Sequence, residues 1–205
     1  MEEKLNVISH SFGLFLSVIA LVVLVVHASV NGNVWHIVSF AIFGVSLITL
    51  YSASTFYHSA KEPKVRSRLR IFDHAAIYVL IAGTYTPFTL ITLSGTTGWV
   101  IFGITWSLAV TGIILKLFFT GRFKIVSTLM YVFMGWLVVF AIKPLVANLS
   151  FEGLVWLFAG GMAYTVGAVL YSIKKIKFNH AIFHFFVLGG SISHFISVFF
   201  YSFEY

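Results

Sequence analysis

The chain has 205 residues, 60% of them hydrophobic and only 9% charged, against about 25% charged in a soluble globular domain; too little polar surface exists to cover a water-soluble body, and the class is a polytopic membrane protein. It contains no cysteine, which excludes disulfides, thiolate catalysis and Cys-based metal sites. The net charge of +7, on a chain this apolar, points to basic loops on the cytoplasmic face rather than to nucleic acid as a partner.

A helical span needs roughly 20 mostly apolar residues. Seven such runs follow one another, at about 7–27, 34–57, 73–93, 97–119, 124–144, 151–173 and 180–201. Runs this long, without period-two alternation, are helices rather than barrel strands. The expected fold is all-α, a single seven-helix transmembrane domain over 1–205. The first run reads as a retained span, because "VVHAS" at its end is a poor signal-peptidase site. The basic stretch "KEPKVRSRLR" at 61–70 reads as a solvated loop that meets anionic headgroups. Twelve of the thirteen Lys and Arg residues fall on one side of this topology, and only Lys143 on the other. The positive side is cytoplasmic, so the N-terminus is expected inside and the C-terminus outside, in a multi-pass protein of the cell membrane.

Polar residues inside the spans come next, in chain order. Span one opens with Asn6 and His10 on one face. Span two ends with Ser54 and His58, an i, i+4 pair. Span three opens with Asp73, which apart from Glu152 is the only acidic residue expected in or at the edge of a span; its alternative partners are Arg68 and Arg70. His74 points about 100° away from Asp73 and serves to anchor the helix end. Span seven carries His180 and His184, again four apart, with Ser191 and His194 continuing the same stripe. The Lys and Arg topology alone brings His58, Asp73, His180, His184 and His10 to one depth near the cytoplasmic ends of their helices. Buried ionisable groups cost several kcal/mol unless paired or metal-bound. Three neutral imidazoles and a water make a zinc site with an open position, beside which a carboxylate can serve as general base. His194 reads as an interhelical hydrogen-bonding residue, and His27 and His36 as interfacial. Gly160, Gly161, Gly167, Gly189 and Gly190 are expected to allow close helix approach.

Ser54–His58 as S-x-x-x-H, "FDH" with Asp73, and "HAIFH" at His180–His184, together with "EEKLNVISHSFG" and "AGTYTPF" at 82–88, resemble the haemolysin III proteins. These form the bacterial branch of the progestin and adipoQ receptor family, and the resemblance covers nearly the whole chain. It implies seven helices with the N-terminus inside, and a Zn2+ ion near the cytoplasmic side held by His58, His180 and His184. It further implies that Asp73 holds the water at the metal, with Ser54 nearby. The animal receptors of the family are similar to lipid amide hydrolases. Their long soluble N-terminal region is missing here, which argues against hormone binding but not against the metal core.

Two functional classes follow. In the first, the chain is a zinc-dependent hydrolase of lipid amides or esters, ceramidase-like, acting in membrane-lipid homeostasis, with membrane lipids as substrate. In the second it is a non-catalytic membrane-state sensor or a cytolytic haemolysin, and zinc is structural. A transporter is disfavoured by the lack of an internal repeat.

Overall fold

The structure is a computed structural model that describes residues 1–120, 122 and 124–203. Helix α1 runs over Glu2–Asn31, α2 over Val34–Ser59, α3 over Pro63–Pro87, α4 over Gly95–Phe119, α5 over Lys124–Gly135, α6 over Ile142–Asn148, α7 over Phe151–Ser172 and α8 over Asn179–Tyr201. A π-helical turn, Phe88–Thr92, extends α3, and a 3-10 turn, Leu137–Ala141, joins α5 to α6. Among the described residues, seven segments are long and apolar enough to cross a membrane; the fifth, Val126–Asn148, runs from within α5 through the 3-10 turn and α6. No strand occurs among the described residues. The protein is an all-α, multi-pass membrane protein.

Two elements differ from the sequence reading. The basic stretch is helical from Pro63 onward, not a loop. Proline suits the first helical position because its missing N–H has no partner there anyway, and Lys, Arg and Leu sustain the turns that follow. The fifth span is also broken, at Trp136. Tyr85 of α3 repairs the break: its hydroxyl donates to the Gly135 carbonyl at 2.9 Å and accepts the Val138 amide at 2.8 Å. Hydrocarbon offers no other partner to such groups. The Trp136 indole then donates to Thr165 Oγ1 of α7 at 3.0 Å. In α3, Pro87 has no amide to donate, and the chain widens just beyond it, with the Leu93 amide reaching the Phe88 carbonyl at 2.8 Å.

Helix α1 packs between α2 and α8, α3 between α2 and α4, and α7 beside α8, while α5 touches α3, α4 and α7. Large apolar side chains such as Phe12, Phe15, Phe118, Phe140 and Phe185 point outward, toward lipid. The inward face of α1 is polar or small instead: Asn6, Ser9, His10, Gly13 and Ser17 are buried at the three- and four-residue spacing of one helix face. Between α7 and α8 the backbones come close at Gly160, which faces the His194 ring, and at Gly190, which faces Tyr164. Gly167 similarly lies against Phe186, but Gly189 faces open space and Gly161 makes only an ordinary contact, 3.9 Å to Trp136. Those two glycines do not serve helix approach.

Candidate metal centre

The chain direction brings the first turns of α1, α3 and α8 and the last turns of α2 and α7 to one end of the bundle. His58 sits at the end of α2, and His180 and His184 lie one turn apart at the start of α8. Each of the three offers one ring nitrogen, and these atoms lie within 4.8 Å of one another. The rings stand nearly perpendicular in pairs, with centroids 4.8–4.9 Å apart. Such a cluster can hold a metal ion.

The donor chemistry fits a metal. His58 Nδ1 is taken by the Glu3 carboxylate, Oε2 at 2.7 Å. A carboxylate only accepts, so the proton resides on Nδ1 and Nε2 carries the lone pair. Nε2 is buried and has no hydrogen-bond partner, a costly arrangement unless something binds there. The other nitrogen of a ligating histidine ordinarily donates to such an acceptor. His184 Nδ1 lies 3.4 Å from Ser9 Oγ. A set of three imidazoles without thiolates suits zinc, copper, iron or nickel, and three protein ligands leave a position open.

Other groups surround the triad. His10 stacks on His184, centroids 3.5 Å apart and 13° from parallel, and neither of its ring nitrogens has a hydrogen-bond partner. Asp73 is not one of the three residues that could ligate a metal. It lies near Ser54 and interacts electrostatically with His58, His10 and His180. Its ion-pair partner among the described residues is His74, at 3.3 Å, rather than Arg68 or Arg70. His74 Nδ1 also donates to the Arg70 carbonyl at 2.8 Å, which ties down the helix turn.

The expected stripe on α8 divides in use. His180 and His184 enter the triad. Ser191 bonds the Tyr51 and Tyr164 hydroxyls, each at 2.9 Å. His194 Nε2 donates to the Leu157 carbonyl of α7 at 3.1 Å, the interhelical bond expected of it. His36 completes a capping box with Asn33, and the His27 and His36 rings pack on Phe203 at the opposite end. The sequence reading placed no acidic group of α1 at a span edge, and the structure corrects this: Glu2 and Glu3 form the first turn of α1. Glu3 reaches His58 and Arg66, and Glu2 Oε1 accepts the His180 amide at 3.1 Å. Only their adjacency to Asn6 and His10 on the same helix could have signalled it.

Comparison with known proteins follows the same residues. The pattern of the family described as "Haemolysin-III related" matches residues 1–195. "Hemolysin-3" of Bacillus cereus is 52% identical over 200 residues, covering 98% of this chain and 91% of its own. "Hemolysin-3 homolog" of Bacillus subtilis (strain 168) is 53% identical over 200 residues, 98% and 94% of the two chains. A more distant relative, human "Monocyte to macrophage differentiation factor", is 28% identical over 206 residues, 96% of this chain and 83% of its own. The chain belongs to the haemolysin-III-related family.

Proposed function

We propose that this haemolysin-III-related protein is an intramembrane zinc hydrolase that cleaves amide or ester bonds of membrane lipids and so takes part in membrane-lipid homeostasis. The observation that carries the reading is the buried set of His58, His180 and His184, with a bare Nε2 on His58 and an acid, Asp73, beside it. A purely structural site is ordinarily closed by four protein ligands, whereas three leave room for chemistry.

Zinc in such a set supplies Lewis-acid chemistry, polarising a carbonyl and making water a nucleophile near neutral pH. The protein's own residues supply the rest. Asp73 acts as the general base, one of its carboxylate oxygens taking the proton of the attacking water and later delivering it to the leaving amine or alcohol. Ser54, buried on α2, steadies that carboxylate. The His10 imidazole, stacked on His184 with the Tyr51 ring against its edge, forms the α1 and α2 wall of the site. A lipid substrate reaches the site laterally between helices, and the positive end of the bundle faces the cytoplasm.

The names of the Bacillus relatives point to lysis of red cells. A secreted cytolysin must be soluble before it inserts, and the outward phenylalanines and valines of this chain do not permit that. Lysis is therefore read as a consequence of altered lipid composition. The test is turnover of ceramides and of ester lipids by purified, zinc-assayed protein, before and after chelation. Zinc-dependent release of fatty acid supports the reading, and stoichiometric zinc without turnover on either class refutes it.

A further inference from the structure

Glu3 makes a contact that the proposed chemistry does not itself require. Its side chain is 52% exposed, while that of His58 is 1% exposed. A glutamate in the first turn of a helix is normally left to water, and here it is engaged by two other helices. Oε2 accepts a hydrogen bond from His58 Nδ1 at 2.7 Å and Oε1 accepts one from the Arg66 guanidinium at 2.5 Å. Arg66 is held in turn on the first turn of α3, its guanidinium 5.0 Å from the centre of the Tyr57 ring. Three helices thus converge on one carboxylate.

Glu2 adds a second brace. Helix α8 begins after Phe178, which has a positive φ of 56° and offers no side-chain cap. The first amides of a helix need acceptors, and Glu2 Oε1 supplies one to the His180 amide from another helix. The first turn of α1 therefore grips α2 through His58 and α8 through His180, the two helices that carry all three imidazoles.

We infer that Glu3 is the positioning residue of the metal centre: its carboxylate, anchored by Arg66, orients His58 and keeps its proton on Nδ1, so that Nε2 faces the metal. The inference rests on the three-histidine reading. An imidazole free of this bond can rotate about its χ2 torsion or carry its proton on Nε2, and in either case it ceases to be a ligand. Acceptors in this position ordinarily contribute 10–100-fold to metal affinity.

The experiment is a cobalt(II) titration against a competing chelator on the full-length, purified protein, read by the visible ligand-field spectrum. Glu3→Gln keeps the size but loses the charge and the Arg66 pair. It should bind cobalt about 10–100-fold more weakly, with a shifted spectrum. Arg66→Met leaves Glu3 in place but unanchored, and should weaken binding less. Glu62→Gln, at the exposed cap of α3, should match the wild type. The metal-free melting temperature of Glu3→Gln should fall by less than that of the metal-loaded protein. Wild-type affinity and spectrum in Glu3→Gln overturn the inference while leaving the triad intact. A metal-free melting temperature that drops as much as the metal-loaded one also overturns it, since Glu3 is then only a staple between helices. A wild type that binds no cobalt, or a His58→Ala protein that binds it fully, defeats the triad and the inference together.

Discussion

His10 and His184 are stacked face to face across the α1–α8 interface, 3.5 Å between ring centroids. The contact holds the plane of one candidate ligand ring from a helix that contributes none of the three histidines. With both His10 nitrogens unpartnered, its service is the flat face of the ring rather than a hydrogen bond. His10→Phe is therefore expected to keep stoichiometric metal, and His10→Ala to weaken binding by leaving His184 free to turn. Elemental analysis of the two purified variants is the check. Loss of metal in the Phe variant as complete as in His184→Ala would make His10 a ligand.

Alanine at His58, His180 or His184 leaves two imidazoles and is expected to reduce zinc content sharply, with the triple variant free of zinc after purification. His194→Ala is expected to retain it, because His194 is spent on the Leu157 carbonyl. Stoichiometric zinc in the triple variant would refute the assignment.

Asp73→Asn separates three roles. The amide keeps size and hydrogen bonding but cannot accept a proton. Zinc content and thermal stability are expected to stay near wild type while lipid turnover falls by roughly 10²–10⁴, the contribution of a positioned base. Zinc lost from this variant would make Asp73 a direct ligand. Turnover unchanged with zinc unchanged would leave it without a catalytic part.

A reporter fused after the last residue is expected outside the cytoplasm, given the twelve-to-one split of Lys and Arg. A cytoplasmic signal would place the histidine triad at the outer face.

Gly160→Ala sets a methyl group against the His194 ring, where neither backbone nor imidazole can retreat without losing the Leu157 bond. Overpacking of this kind costs about 1–3 kcal/mol. Gly189→Ala, in open space, is expected within about 0.5 kcal/mol of wild type. Unfolding in mixed micelles compares the two; equal stabilities would show that α7 and α8 are not closely packed at Gly160.

The spans are legible because hydrocarbon requires long apolar helices, and the Ser54–His58 and His180–His184 pairs because a spacing of four fixes a helix face. Charge asymmetry then brings those pairs to one depth, where the structure does gather His58, His180 and His184. Glu3 escapes because an apolar run cannot reveal that helix α1 continues into its polar first turn. Helix α3 starts ten residues before its apolar run for the same reason: hydropathy locates the lipid, not the ends of a helix. The break at Trp136 escapes because its repair comes from Tyr85, some 50 residues away, and no local pattern announces a hydroxyl between two backbone groups. Ser191 shares a face with His184 yet bonds two tyrosines, since a face says where a side chain points and nothing about what meets it.

Beyond the histidines, the interior changes character. Tyr51, Ser191 and Tyr164 are linked across the bundle, and toward the opposite end the space between α1, α2 and α8 is filled by Leu24, Phe40, Phe43, Leu47 and Val198, all buried. That end of the bundle is packed hydrocarbon, in contrast to the cluster of imidazoles at the other. A leak through one copy of this fold would have to pass that apolar packing.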